Sequence, residues 1–276
     1  MRLAVAIAVF LLSAVVNAQR IAILEPEDKT VEGLGLAVRT DLAADLKIVD
    51  DSMAKAAFRS VSLADPFNLT TSDSRRIGEV LGVDNFILLR SAVQRRASID
   101  RPAYFEAYAI AYVLNSRSGS LVGWFRESVE ATNEKESRDK LIAASGLLAK
   151  RIRASIKANQ FTIVRDAKFE EVPAEGSALA KGLRTPVPYR RLRPEYTELA
   201  SSYGVRATID IEVDIDSDGS IARTSIERWA GFGLEESVEK AVRSMNWRPA
   251  MRNGKPLPMR ILLRYNFIKI EKDEAP

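Results

Sequence analysis

Residues able to carry acid–base, nucleophilic or metal chemistry come in few kinds here. The 276-residue chain has no Cys and no His. That removes disulfides, thiolate nucleophiles, zinc–thiolate sites and a lipidated N-terminal Cys, along with the commonest acid–base group and metal ligand at neutral pH. Carboxylates supply the remaining patterns. Asp214-x-Asp216-x-Asp218-Gly219 starts like an EF-hand loop, but its twelfth position is Ser225 where a bidentate Glu is required, and its flanks read as strands. A solvated strand face with a turn is the favoured reading. Glu235-Glu236 with Glu239 could pass for paired catalytic carboxylates, yet at the start of a helix such acids more simply complement its dipole. Gly33-Leu34-Gly35 lacks a third glycine and does not follow a strand directly, so no dinucleotide loop is expected. No catalytic residue, metal ligand or cofactor is predicted. A hydrolase working through Asp or Glu has no positive support.

The net charge of +4, with a pI near 9.2, does not indicate nucleic acid unless it is gathered on one face. One basic run stands apart, Lys181, Arg184, Arg190, Arg191 and Arg193, with no acidic residue between them. It reads first as a solvated connector. The sharper reading is a contact strip for an acidic partner, such as membrane headgroups or cell-wall carboxylates.

The elements that position these residues fall into four stretches. Arg2, an apolar run from Leu3 to Val16 and the ending Val16-Asn17-Ala18 form the pattern of a cleavable secretory signal over residues 1–18. The run is shorter than the roughly 20 residues of a spanning helix, although a retained inner-membrane anchor is the alternative. Residues 20–157 read as an α/β unit with a mixed sheet. Its expected elements are a strand at Arg20–Leu24, a helix over Leu34–Leu46, a strand at Lys47–Asp50, and a helix from Thr71-Ser72-Asp73 to Leu81 ended by Gly82. A strand over Val83–Leu89, a hairpin of Tyr104–Leu114 and Leu121–Ala131, and one long helix from Asn133 to Lys157 complete it. Residues 158–193 form a linker broken by Pro and Gly, with a short strand at Gln160–Val164.

From residue 194 to 270 the pattern sharpens. Pro194 opens a short helix that Gly204 ends. Ile209, Ile211, Val213 and Ile215 alternate with Asp210, Glu212, Asp214 and Asp216, which predicts a strand with one buried and one wet face. Ser217-Asp218-Gly219 turns the chain back through Ser220–Trp229. Leu234, Val238, Ala241, Val242 and Met245 mark a helix, a polar loop covers Arg252–Pro256, and Met259–Ile268 is the closing strand.

The stretches P-E-Y-T-E-L-A, G-V-R-A-T-I-D-I-E-V-D-I-D-S-D-G-S-I, L-E-E-S-V-E-K-A-V-R-S-M-N-W-R-P-A and I-L-L-R-Y-N-F carry a close resemblance to the TonB C-terminal domain family. Family members usually have Gly before the first long strand, where this chain has Ala207. More loosely, residues 20–157 resemble the N-terminal domain of TolB and CsgG-type periplasmic domains through R-I-A-I-L, L-A-A-D-L-K-I-V-D-D, R-R-I-G-E-V-L-G-V-D-N-F-I-L-L-R and V-L-N-S-R-S-G-S-L-V.

The resemblances imply an α+β protein: an N-terminal α/β unit with a mixed sheet, then a small domain with a three-stranded antiparallel sheet packed on helices. They also imply an edge strand that receives an extended peptide from an outer-membrane transporter or another envelope protein. The expected edge is the closing strand, through the backbone of Ile261, Leu262, Leu263, Arg264, Tyr265, Asn266 and Phe267, with Tyr265 and Phe267 serving the core. A second copy of the C-terminal domain is another expected partner. The reading is a periplasmic adaptor; the alternative is a membrane-anchored energy transducer. Against the transducer stand the absence of the family's membrane-helix His and the short linker.

Overall fold

In the computed structural model, residues 19–27, 30–98, 101–158 and 168–268 are described. The signal pattern of residues 1–18 and the strand expected at Gln160–Val164 lie outside them.

The N-terminal part carries β1 (Arg20–Leu24), α1 (Leu34–Leu42), β2 (Lys47–Ile48), α2 (Asp51–Arg59), α3 (Thr71–Leu81), β3 (Asn85–Ser98), β4 (Arg101–Asn115), β5 (Leu121–Ala131), α4 (Glu134–Ala143) and α5 (Ser145–Ala158). The sheet order is β2-β1-β3-β4-β5, with β1 parallel to β2 and β3, and the β3–β4 and β4–β5 pairs antiparallel. This is the mixed sheet the sequence implies. Local chemistry sets the boundaries. Thr70 and Asp73 cap α3 reciprocally, and Gly82 closes it with φ +62°. Asp50 caps α2, a helix that sequence periodicity did not reveal.

Several expectations shift. The helix after Leu34 stops at Leu42, and Leu36 faces solvent. The long closing helix divides at Ala144 into α4 and α5, which leaves Leu147 exposed. β3 runs well past Leu89, because β4 pairs with it as far as Arg95–Phe105 and beyond.

Strand β4 shows why the sheet needs two covers. Ala107, Ala109, Ala111 and Val113 join a core with α1, α4 and α5, whereas Tyr108, Ile110, Tyr112 and Leu114 face the opposite way. Small residues let the helices approach on the first side. On the second, the large ones are covered by α2, α3 and the C-terminal part of the chain.

That part carries β6 (Glu170–Glu171), β7 (Leu183–Arg184), β8 (Val187–Pro188), α6 (Glu198–Ser202), β9 (Ala207–Ile215), β10 (Ile221–Arg228), α7 (Leu234–Arg243), β11 (Trp247–Arg248), β12 (Ala250–Arg252), β13 (Lys255–Leu257) and β14 (Met259–Phe267). Pro194 does not start α6; Thr197 caps it three residues later, its hydroxyl accepting the Ala200 N–H. The expected antiparallel β10-β9-β14 sheet is present, and the chain adds β6 to it as a fourth, parallel strand beside β14. Leu234, Val238 and Val242 of α7 join Ile209, Ile211, Val213 and Ile215 of β9 in the same core. Gly219 turns β9 into β10 with φ +89°, and a Cβ there would run into the Trp247 carbonyl oxygen. The expected loop over Arg252–Pro256 is instead a tight hairpin, with Asn253 (φ 51°) and Gly254 (φ 81°) linking β12 to β13. Residues 168–193, expected as a free connector, are strapped to the C-terminal sheets. β6 pairs with β14, β7 with β12 and β8 with β11.

The two parts of the chain share one apolar core. Tyr112 lies 5.3 Å from Trp229 and 5.3 Å from Phe67 between ring centroids, and Trp124 lies 5.1 Å from Phe232. Asn68 stitches the backbones together. Its Nδ2 donates to the Thr208 and Trp229 carbonyls at 2.8 Å each, and its Oδ1 accepts the Thr208 N–H at 2.9 Å.

Candidate functional site

The candidate site is the β9–β14 pair with its borders. β14 pairs with β9 without interruption, from Met259 opposite Ile215 to Phe267 opposite Ala207. Its other edge is paired only at the start, where Met259 and Arg260 meet Glu170 and Glu171 of β6. Among the described residues no strand pairs with that edge from Ile261 to Phe267. Side chains alternate along it. Ile261, Tyr265 and Phe267 are buried and Leu263 is half-buried toward α7's side, while Leu262, Arg264 and Asn266 are exposed on the opposite face. At the other side of the sheet, β10 is met near its end by residues 69–70: Thr70 bridges Arg228, and the Trp229 N–H donates to the Leu69 carbonyl at 3.3 Å.

The acidic face of β9 is not wet, contrary to its alternating pattern. Asp210, Glu212 and Asp214 are buried, Asp214 to 1 % exposure. Arginines from both neighbouring strands cover them. Asp214 accepts from Arg260 Nε at 2.6 Å and Nη2 at 3.1 Å, and from Arg223 Nε at 2.9 Å. Asp210 accepts from Arg264 at 2.7 and 2.9 Å and from Arg228 at 3.1 Å. Glu212 accepts from Arg223 at 2.9 Å and lies 3.2 Å from Arg260. Alternation reported side-chain direction correctly and solvent exposure wrongly, because cross-strand arginines shielded the acids. Beside this ladder lies a groove of about 520 Å³, bordered by Thr71, Arg75, Val172, Leu262 and Arg264.

The other acidic patterns do not converge. Asp216 takes the Lys168 ammonium at 3.0 Å and Asp218 caps its own turn through Ser220, so with Asp214 held by arginines the three point to separate tasks. Glu235 accepts the Ala230 and Gly231 N–H groups at 2.5 and 2.7 Å, while Glu239 accepts the Thr224 hydroxyl at 2.6 Å.

All five residues of the basic strip are exposed, but they are not one patch along an extended connector. Arg184 sits in β7 beside Met251. Lys181 precedes Gly182, whose carbonyl accepts the Asn253 N–H. Arg191 reaches the edge strand itself, its guanidinium 5.7 Å from the Tyr265 ring centroid. The sequence treated strip and edge as separate sites, and Arg191 joins them.

A second ionic cluster holds the two parts together. Glu106 accepts from Tyr203 Oη at 2.6 Å, Arg126 at 2.8 Å and Arg96 at 2.8 Å. Burial pushes its carboxyl up, but these three hydrogen bonds outweigh burial and hold it below the usual carboxylate range. The same balance, with arginine donors, lowers Asp210 and Asp214. Glu235 is shifted the other way by burial. A carboxylate depressed in the folded state adds stability above its unfolded pKa, and that stability is lost as pH falls through the folded value. The lowered acids outnumber Glu235 in this region, so the melting temperature is expected to hold from about pH 7 to 5 and to drop steeply below about pH 4. Thermal melts by circular dichroism check this. A flat profile to about pH 3 would contradict the ionic description.

The fold and site together define a small open-edged α+β part that shares an apolar core with an α/β part. Residues 193–268 match the family described as Gram-negative bacterial TonB protein C-terminal. The resemblance of this part of the chain to the TonB C-terminal domain, an envelope-associated Gram-negative family, is thereby shown. Comparison with curated proteins finds no match. Among solved structures, lipoprotein GNA1162 of Neisseria meningitidis is similar at 15% identity, covering 52% of this chain and 99% of its own, with a TM-score of 0.30. The TonB C-terminal domain of Pseudomonas aeruginosa is 23% identical over 36% of this chain and 97% of its own, with a TM-score of 0.28. The LpoB C-terminal domain of Salmonella enterica is 11% identical over 42% and 86%, with a TM-score of 0.29.

Proposed function

We propose that this chain is a non-enzymatic binding or adaptor protein of the periplasm. In this reading it receives an extended segment of an envelope protein as an added strand on β14, in the service of outer-membrane transport. The observation that carries the proposal is the outer edge from Ile261 to Phe267. It is unpaired among the described residues, and it is held straight by uninterrupted pairing with β9. Such an edge offers a row of N–H and C=O groups that an incoming strand satisfies, while alternate side chains provide selectivity. The sequence pattern of residues 1–18 supports export, and no helix among the described residues is long and apolar enough to cross a membrane.

Because the chain contains no Cys, Asn266→Cys creates a single thiol beside that edge. In the native host, a thiol-reactive crosslinker at this position is expected to give an adduct with another envelope polypeptide. Leu147→Cys, exposed on α5, is expected to give none. An adduct of twice the chain's mass would identify a second copy as the partner. No adduct at Asn266→Cys with any crosslinker length would remove the proposal.

A further inference from the structure

The edge of β14 is already occupied, over two residues, by an acidic strand. β6 is Glu170-Glu171, pairing parallel with Met259 and Arg260. Glu170 lies 2.8 Å from Arg252 Nη2, and Glu171 stands opposite Arg260 in the strand register. Pro173 follows two residues after Glu171. It has no N–H to give a ladder, and it ends this internal strand just as Ile261 begins the open stretch.

Beyond that point the border is cationic and partly apolar. Leu262 is 58 % exposed on one face. Arg264 follows it on the same face with its side chain 57 % exposed. On the other face Arg191 lies against Tyr265, between the exposed Arg190 and Arg193. Arg206, also exposed, precedes the residue that pairs with Phe267. The acids close to this stretch do not cancel these charges. Asp210 is shared between Arg264 and Arg228, and the ladder as a whole sets the three carboxylates of Asp210, Glu212 and Asp214 against four arginines, Arg223, Arg228, Arg260 and Arg264. Arg190, Arg191, Arg193 and Arg206 have no ion pair among the described residues, and Glu195 is the nearest acid in sequence to the strip. A strand laid on this edge would bring its side chains beside an apolar residue and cations on either face.

We infer that the strand received along Ile261–Phe267 is acidic, an extended segment of a partner polypeptide with Asp or Glu set among apolar residues. The inference rests on the edge-binding proposal above and names the chemistry of its occupant. β6 is the internal precedent: the chain places its own two glutamates on the part of the edge it covers and leaves the cationic part open. The basic strip then acts as one border of the binding edge, giving selectivity and a salt-dependent on-rate.

The test uses the full chain and two fluorescent heptapeptides, Val-Asp-Val-Glu-Leu-Asp-Val and its neutral form with Asn and Gln in place of the acids. Binding is read by anisotropy at low and high salt, and amide exchange of residues 261–267 is followed in parallel. The acidic peptide is expected to bind at least about tenfold more tightly at low salt, with the difference shrinking as salt screens it. Combined Arg190→Gln, Arg191→Gln and Arg193→Gln substitutions, all at exposed positions, are expected to weaken the acidic peptide far more than the neutral one and so erase most of that difference. Equal binding of both peptides with slowed exchange along 261–267 would overturn the acidic assignment and leave the edge reading standing, whereas an acidic preference untouched by the triple substitution would overturn the part given to the basic strip. Absence of binding by either peptide, with exchange unchanged, would overturn both.

Discussion

Trp229→Ala is expected to destabilise the whole chain, not the C-terminal part alone, by roughly 3–5 kcal/mol, the range for deleting a large buried aromatic. Trp229 is 1 % exposed, and its ring packs on Tyr112 of β4, so the substitution opens a cavity in the core that both parts share. The backbone bonds here, the Trp229 carbonyl accepting from Asn68 and the Trp229 N–H donating to the Leu69 carbonyl, remain available to an alanine, so the loss reports the packing of the ring. Urea unfolding followed by far-ultraviolet circular dichroism and by the fluorescence of Trp124 and Trp247 should give coincident transitions for the natural chain. In the variant both should shift together. Two separate transitions, with only the later-folded or earlier-melting part moved by Trp229→Ala, would show that the two parts fold independently despite their contact.

Asp214→Ala is the second large effect, again roughly 3–5 kcal/mol, because it strips the partner from a buried charge. Arg260 is 7 % exposed at its side chain and makes a two-pronged bond to Asp214, and Arg223 binds the same carboxylate from the other neighbouring strand. Glu212 remains within reach of both arginines, which sets the loss nearer the lower end of the range. Pairing Asp214→Ala with Arg260→Met should recover part of the loss, because an apolar pair leaves no orphaned charge. Equilibrium unfolding of the two single variants and the double variant provides the cycle. A loss under about 0.5 kcal/mol for Asp214→Ala would mean that the ladder is incidental to stability. Since Arg260 and Arg264 belong to β14, the same ladder keeps the candidate edge straight. The destabilised variants are therefore expected to show faster amide exchange along β14 before global unfolding.

Much of the architecture was legible because its signals are local. The alternation from Ile209 to Ile215, the glycine after Ser217-Asp218 and the stripe from Leu234 to Met245 each follow from periodicity or turn stereochemistry, and each appears where its residues place it. The helix expected from Thr71-Ser72-Asp73 to Gly82 also appears, with its left-handed glycine in place, but its cap is Thr70, one residue before the expected start, answered by Asp73. Placing Tyr265 and Phe267 in the core also followed from period two, and both are buried. What misled was the step from polarity to exposure. Asp210, Glu212 and Asp214 looked wet because they are charged, but arginines about 10 to 50 residues further along the chain close over them.

The chain's own residues thus determined the strongly patterned elements, the absence of Cys and His chemistry, and the likeness of the C-terminal part to TonB C-terminal domains. Those properties depend on residue type and short spacing, which sequence records directly. Tertiary structure alone decided three things. It set Tyr112 against Trp229, more than 100 positions apart, it brought Arg191 to the edge strand, and it laid Glu170-Glu171 on the first two residues of that edge. Each is a contact between distant segments whose partners carry no mutual signal in one sequence, because burial and strand pairing are settled only when the chain closes on itself.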